Sequence, residues 1–167
     1  LIIGGSGDYS VHHVAGQSWV SPCRDFVHEA LEHNLPGFGI CFGHQLLGQV
    51  LGGIVVTDSE RTEIGTVELT LTSAGQNDPV FGQLPSGFRA QTGHSDRVVS
   101  VPERAELMVS GALVDTQAFR VKNTEFFSTQ FHPDLTGNQA RERYMAYRDK
   151  LQGHAAAEAE TQANRFS

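Results

Sequence analysis

Short apolar runs, each followed by a helical pattern, occupy the first third of the chain. Predicted strands lie at residues 1–3, 37–40 and 54–56, and predicted helices at 21–34 and 41–51. Ser21 fits an N-cap with Pro22 at the first helical position, and the second helix stops at Gly52 and Gly53. Strands that alternate with helices in this way predict parallel pairing in an α/β fold.

The middle of the chain has a different pattern, in which β-branched and apolar residues alternate between turn-rich stretches. Further strands are predicted at residues 67–71, 88–91, 97–101, 106–109, 118–121 and 126–131. This block predicts antiparallel or mixed β-structure added to the parallel part. A last helix is predicted at residues 136–151, and the polar stretch that follows is expected to be a frayed end.

Composition narrows the class of protein. The chain has 167 residues, which favours one domain, placed at residues 1–152, with a polar C-terminal tail at 153–167. A net charge of −7 argues against a nucleic-acid partner, and there is no apolar run of membrane-spanning length. Two cysteines cannot form a disulfide framework, so we expect a cytoplasmic protein. The sequence predicts neither a metal site nor a cofactor site, because His12 and His13 are adjacent and residues 4–7 lack the full dinucleotide pattern.

The strongest chemical signal is the segment Gly-Ile-Cys-Phe-Gly at residues 39–43. It fits a nucleophile at a strand-to-helix turn, where the residues two before and two after the nucleophile crowd each other and must be small. The N–H of Phe42 would open the helix and could bind an oxyanion, and the helix N-terminus would favour a Cys41 thiolate. The alternative is that Cys41 is a small buried apolar residue, which is how we interpret Cys23.

A cysteine nucleophile needs a base, and the base needs an acceptor that orients it. His132 follows the predicted strand 126–131 and precedes Pro133, which ends the strand. The chain then turns at the carboxyl edge of the sheet, where ligands bind in such folds. Asp134 follows two residues later and can share one side of that turn. The order is therefore nucleophile, histidine, acid, which differs from the order nucleophile, acid, histidine of α/β-hydrolases.

Four segments together resemble the class I (triad-type) glutamine amidotransferases. Residues 39–45 resemble the nucleophile signature of that family, residues 130–134 its histidine–carboxylate signature, and residues 3–8 its glycine-rich oxyanion strand. Residues 93–98 (Gly-His-Ser-Asp-Arg-Val) resemble the form seen in GMP-synthase-like members. The segments occur in the order of the family and cover about residues 1–151.

The resemblance implies a fold and a chemistry. The fold would be a flavodoxin-like three-layer α/β sandwich with a mostly parallel central sheet, whose first strands would precede Leu1 in family members. The chemistry would be hydrolysis of the glutamine side-chain amide by Cys41, His132 and Asp134 through a γ-glutamyl thioester. By the same resemblance, N–H groups of Gly5 and Phe42 would bind the oxyanion. Residues implied to bind the substrate are Gly4, Gln45, His94 and Ser95.

The resemblance also implies partners and leaves alternatives open. L-glutamine would be the substrate, and a synthetase subunit or domain would receive the ammonia. A γ-glutamyl hydrolase on the same fold would use the same triad, and a non-catalytic regulatory domain would keep only the fold. Asp134 departs from the pattern, because the family usually has a glutamate there, which is one methylene longer.

Overall fold

The computed structural model describes residues 1–7, 9–12, 18–148 and 161–167. The strands are β1 Ile2–Ile3, β2 Gly37–Ile40, β3 Val55–Thr57, β4 Glu63–Leu71, β5 Gly87–His94, β6 Asp96–Val98, β7 Ala105–Gly111, β8 Ala118–Val121 and β9 Phe126–Thr129. The α-helices are α1 Val20–Glu32, α2 Phe42–Val50, α3 Ser73–Asn77 and α4 Gly137–Arg148, and short 3₁₀ turns lie at Ser59–Arg61 and Phe81–Gln83.

One seven-stranded sheet forms the centre of the described structure, in the order β1-β2-β9-β8-β7-β4-β5. The pairs β1–β2 and β2–β9 are parallel, and the other four pairs are antiparallel. The antiparallel block predicted from the sequence therefore continues the parallel part as a single sheet. The α/β class is confirmed.

Apolar cores cover both faces of this sheet. On β9, Phe126 belongs to the core beneath α1 and α2, and Phe127 belongs to the core beneath α3. Successive side chains of a strand point to opposite faces, so two neighbouring phenylalanines supply both cores. Every residue of β9 is buried. Both faces of β9 are therefore covered, as is usual for a strand in the parallel part of an α/β sheet.

The prediction that residues 54–56 form a third parallel strand is wrong. β3 pairs antiparallel with β6 in a separate two-stranded sheet, in which Val55 lies opposite Val98. Both valines are buried in the core beside α2. A single antiparallel partner provides enough backbone hydrogen bonds for a strand of three residues with one buried face. The order of elements along the chain does not reveal which strand that partner is.

Two predicted boundaries also shift. Helix α1 begins at Val20 with Trp19 at the N-cap, so Ser21 is not the cap and Pro22 lies within the first turn. Proline is acceptable there because the first N–H groups of a helix have no intrahelical acceptor. Strand β9 ends at Thr129, and the chain then turns so that the N–H of His132 donates to the carbonyl oxygen of Gln91 at 2.8 Å.

Residues 161–167 are not the frayed end that the sequence suggested, because they pack along β4. The N–H of Thr66 donates to the carbonyl of Arg165 at 2.9 Å, and the N–H of Ser167 donates to Thr66 Oγ1 at 2.8 Å. A Cβ at Gly65 would lie 2.4 Å from Arg165 Cβ, so glycine permits this approach. Ala163 is fully buried. The predicted domain boundary at 152, and the end of the predicted helix 136–151, lie outside the described residues.

Candidate active site

Cys41 lies on a strained turn between β2 and α2. Its φ of 52° is in the left-handed region, which is uncommon for a residue with a side chain. A Cβ at Gly39 would lie 2.6 Å from the carbonyl oxygen of Gly43, and a Cβ at Gly43 would lie 2.3 Å from that of Ile3. The crowding expected from the sequence is therefore present. Ile3 of β1 adds a contact that the five-residue pattern did not reveal.

His132 and Asp134 are joined directly. Nδ1 of His132 lies 3.1 Å from Oδ1 of Asp134, so an Nδ1–H can donate to the carboxylate and leave Nε2 available on the other side of the ring. The ring is largely buried, whereas the Asp134 side chain is 43% exposed. An aspartate at this position therefore reaches the imidazole in spite of its shorter side chain.

Three separate loops meet at Gly5, which follows β1. A Cβ placed there would lie 3.0 Å from His132 Cε1, 3.5 Å from His132 Nε2 and 3.5 Å from Cys41 Cβ. The structure thus brings Gly5, Cys41 and His132 into one small volume, although they are far apart in sequence. Glycine at position 5 keeps the space between the thiol and the ring open.

The resting protonation states are those of a neutral pair. Burial raises the pKa of the Cys41 thiol from 9.0 to about 11, although the N–H of Phe42 and the charge of Arg143 act to lower it. Burial lowers the pKa of His132 below 6.5, against the opposing effect of Asp134. The N–H of Phe42 at the helix N-terminus lowers the pKa of the Cys41 thiol in the expected direction, but desolvation has the larger effect.

A cavity of about 320 Å³ opens in front of Cys41. Of the residues implied to bind substrate, Gln45, His94 and Ser95 line it, as do Gly5 and Phe42, whereas Gly4 does not. Asp96, which belongs to the motif at residues 93–98, also lines the cavity. Further lining residues come from elements or loops to which no sequence motif pointed, among them Thr62, Gln91, Arg143, Tyr144 and Phe166.

The polar side chains of the cavity wall are held by other protein groups. Gln45 Nε2 donates to the carbonyl of Asp96 at 2.9 Å and to Gln130 Oε1 at 3.2 Å. Thr62 Oγ1 donates to Ser95 Oγ at 3.1 Å. Gln45 and Ser95 are therefore positioned by hydrogen bonds within the protein itself.

Two negative findings concern the described residues alone. Within residues 1–7, 9–12, 18–148 and 161–167, no three His, Cys, Asp or Glu side chains are grouped closely enough to hold a metal ion. No helix in the part of the chain that the structure describes combines the length and apolar character needed to cross a membrane.

Curated relatives are similar to this chain in sequence. A glutamine-hydrolysing GMP synthase subunit from Sulfurisphaera tokodaii is 33% identical over 134 residues, which cover 80% of this chain and 66% of that protein. The equivalent GMP synthase subunit from Methanocaldococcus jannaschii is 30% identical over 122 residues, which cover 73% of this chain and 63% of that protein. The chain thus matches less than two thirds of the length of these relatives.

Solved structures and a family model agree with these relatives. A glutamine amidotransferase from Thermotoga maritima superimposes with a TM-score of 0.78 and covers 98% of this chain and 72% of that chain, at 23% identity. That likeness supports the fold. The family model for class-I glutamine amidotransferases matches residues 1–149, which is most of the sequence. The chain belongs to the class-I glutamine amidotransferase family.

Proposed function

We propose that this chain hydrolyses the side-chain amide of L-glutamine and supplies the ammonia to an acceptor synthetase. The observation that carries the proposal is that Cys41 and His132 both lie next to Gly5. Asp134 contacts the imidazole of His132 at its other nitrogen, Nδ1. Covalent acyl transfer needs a nucleophile, a base and an acceptor that orients the base, and the proximity of these three residues supports those roles for them.

The reaction would begin from the neutral pair. His132 Nε2 accepts the thiol proton as Cys41 Sγ attacks the amide carbon, because a thiol with a pKa of about 11 is not ionised beforehand. The N–H groups of Phe42 and Gly5 stabilise the oxyanion of the tetrahedral intermediate. Asp134 stabilises the imidazolium that forms.

Collapse of the intermediate completes the first half. The imidazolium of His132 gives its proton to the leaving nitrogen, the C–N bond breaks and ammonia departs, which leaves a γ-glutamyl thioester on Cys41. A water molecule then attacks the thioester carbon while His132 takes a proton from it. Release of glutamate returns the proton to Cys41 and restores the free site.

The charges in the cavity suit the amino-acid end of glutamine. Arg143 and Asp96 both line the cavity, and their opposite charges both act on Cys41. We infer that Arg143 faces the α-carboxylate and Asp96 the α-ammonium group. Asp96 already accepts hydrogen bonds from Thr57 and Ser10, which hold its carboxylate in place.

The names of the relatives suggest the acceptor. They are glutamine-hydrolysing subunits of GMP synthase, so a separate synthetase subunit is the partner that we propose for this chain.

The two cysteines that the structure describes are free thiols, which suits a reducing compartment.

Ammonia release from glutamine by the purified chain tests the proposal. We expect Cys41→Ala to abolish release without loss of the fold. Cys23→Ala is the matched control, because Cys23 packs against the core from α1 and does not line the cavity. Full activity in Cys41→Ala would refute the assignment. Turnover of γ-glutamyl peptides in preference to glutamine would indicate a γ-glutamyl hydrolase, and no turnover by the wild type would indicate a regulatory domain.

A further inference from the structure

Glu63, a buried ionisable side chain, lies behind the cavity wall and contacts His94, which lines the cavity. Glu63 of β4 and His94 of β5 occupy opposite positions in the antiparallel ladder, and His94 Nε2 lies 3.0 Å from Glu63 Oε2. Their side chains are only 4% and 2% exposed. Gln117 Nε2 donates to the same carboxylate oxygen at 2.6 Å. Glu63 is therefore fixed from two sides.

The other ring nitrogen of His94 faces the carbonyl oxygen of Asp96 at 3.0 Å. A carbonyl can only accept, so this contact requires a hydrogen on Nδ1. The contact with Glu63 does not select this tautomer by itself, because a neutral ring could instead donate from Nε2 to the carboxylate. The Asp96 carbonyl places the hydrogen on Nδ1, and the hydrogen between Nε2 and Oε2 is then shared with the Glu63 side chain.

The Asp96 carbonyl also accepts from Gln45 Nε2 at 2.9 Å. Gln45 belongs to α2, the helix that begins after Cys41, whereas His94 ends β5. One carbonyl oxygen thus joins the nucleophile helix to residues 94–96, all three of which line the cavity. Glu63 does not line the cavity.

We propose that Glu63 is a positioning residue of the glutamine site, an inference that rests on the proposed function. Its carboxylate orients the His94 ring, the ring holds the Asp96 carbonyl, and residues 94–96 are thereby kept in the place that the substrate needs. A buried polar pair such as Glu63 and His94 adds little net stability compared with apolar side chains of similar volume. A fixed geometry at the cavity wall is a function that apolar replacements would not serve.

The hydrogen bonds that run from Glu63 through His94 to Asp96 do not include Cys41 or His132, although the charge of His94 acts on His132. Cys41 is anchored through its N–H to the carbonyl of Thr129, and His132 through Gln91 and Asp134. Loss of the Glu63 carboxylate should therefore weaken glutamine binding much more than it slows the chemical steps. A purely structural role would instead lower the amount of folded protein and leave the KM of the folded fraction unchanged.

The test compares Glu63→Gln with Glu68→Gln. Glu68 lies on the same strand but is exposed, so it is a matched control. A neutral amide oxygen accepts hydrogen bonds about half as strongly as a carboxylate, so we expect the KM for glutamine to rise about tenfold in Glu63→Gln. We expect kcat to change by less than about threefold, and both constants of Glu68→Gln to stay near those of the wild type.

A second arm measures glutamine binding by calorimetry in the Cys41→Ala background, where no hydrolysis interferes. A Kd for glutamine about tenfold higher in the double variant than in Cys41→Ala alone would support the proposal. An unchanged KM and Kd, or a fall in kcat alone, would overturn it. Failure of the wild type to release ammonia would refute the proposed function, whereas the Kd comparison would still decide the role of Glu63.

A third measurement needs no folded Glu63 variant. The ¹⁵N spectrum of the His94 imidazole in the wild-type protein should show a protonated Nδ1, assigned by its loss in His94→Asn. An unprotonated Nδ1 would overturn the proposal, because the ring could not then donate to the Asp96 carbonyl.

Discussion

Replacing Gly5 by alanine would place a methyl group between the proposed nucleophile and its base. Gly5 has no left-handed backbone angle, so alanine fits the main chain. The methyl carbon would lie 3.0 Å from His132 Cε1, whereas ordinary contact begins at 3.4 Å, so the ring must yield by about 0.4 Å. Asp134 is partly exposed and can move with the ring. The protein should therefore fold normally.

The substitution should therefore lower the rate of ammonia release rather than the stability of the fold. A misplacement of about 1 Å can cost about 10² in rate, so a shift of a few tenths of an ångström should lower kcat about tenfold. Ammonia release measures kcat, and a thermal melt measures stability. Gly87→Ala is the control, because the nearest atom to its Cβ is the carbonyl oxygen of Leu69 at 3.9 Å. A kcat within about twofold of the wild type, or a loss explained by unfolding, would refute the reasoning.

Three further predictions concern the same site. Asp134→Asn should lower kcat, but by less than the roughly 10⁴-fold loss caused by the same change at a buried triad aspartate, because water can reach this partly exposed position. The rate of acylation in a stopped-flow experiment measures the loss. The proposed base His132 accepts a proton only when it is neutral, and burial lowers its pKa, so kcat/KM should decrease only as the pH is lowered below 6.5. A decrease that begins at a higher pH on lowering the pH would contradict this. Gly43→Ala should destabilise the fold by about 1–3 kcal/mol in a denaturant melt, because its methyl would meet the backbone of Ile3 at 2.3 Å and no flexible side chain can yield. An unchanged denaturation midpoint would show that β1 moves away freely.

The parts of the site that are local in sequence could be predicted from the sequence. The glycines on either side of Cys41 follow from the steric demands of one turn, and Asp134 lies only two residues from His132. The resemblance to a family then placed Gly5 and Gln45 at the site, and both line the cavity.

The parts that depend on distant pairing could not be predicted. Nothing near Glu63 in the sequence shows that β4 will bring it opposite His94, because that register follows from the sheet. Arg143 carries no local signal, since an arginine on a polar helix is usually solvated. The pairing predicted for β3 was wrong for the same reason, because a short apolar run does not specify which strand it will pair with.

The parallel pairing of β2 with β9 has a consequence for how the protein folds. These strands bring Cys41 and His132 to one edge, yet the chain between them must also form four antiparallel strand pairs and a two-stranded sheet. Pairings between distant segments form slowly, because the chain loses the entropy of closing a long loop before the contacts that stabilise the pairing can form. In a refolding experiment, helical circular dichroism should therefore recover before ammonia release from glutamine does. Ammonia release would then report that the long-range pairing of β2 with β9 is complete.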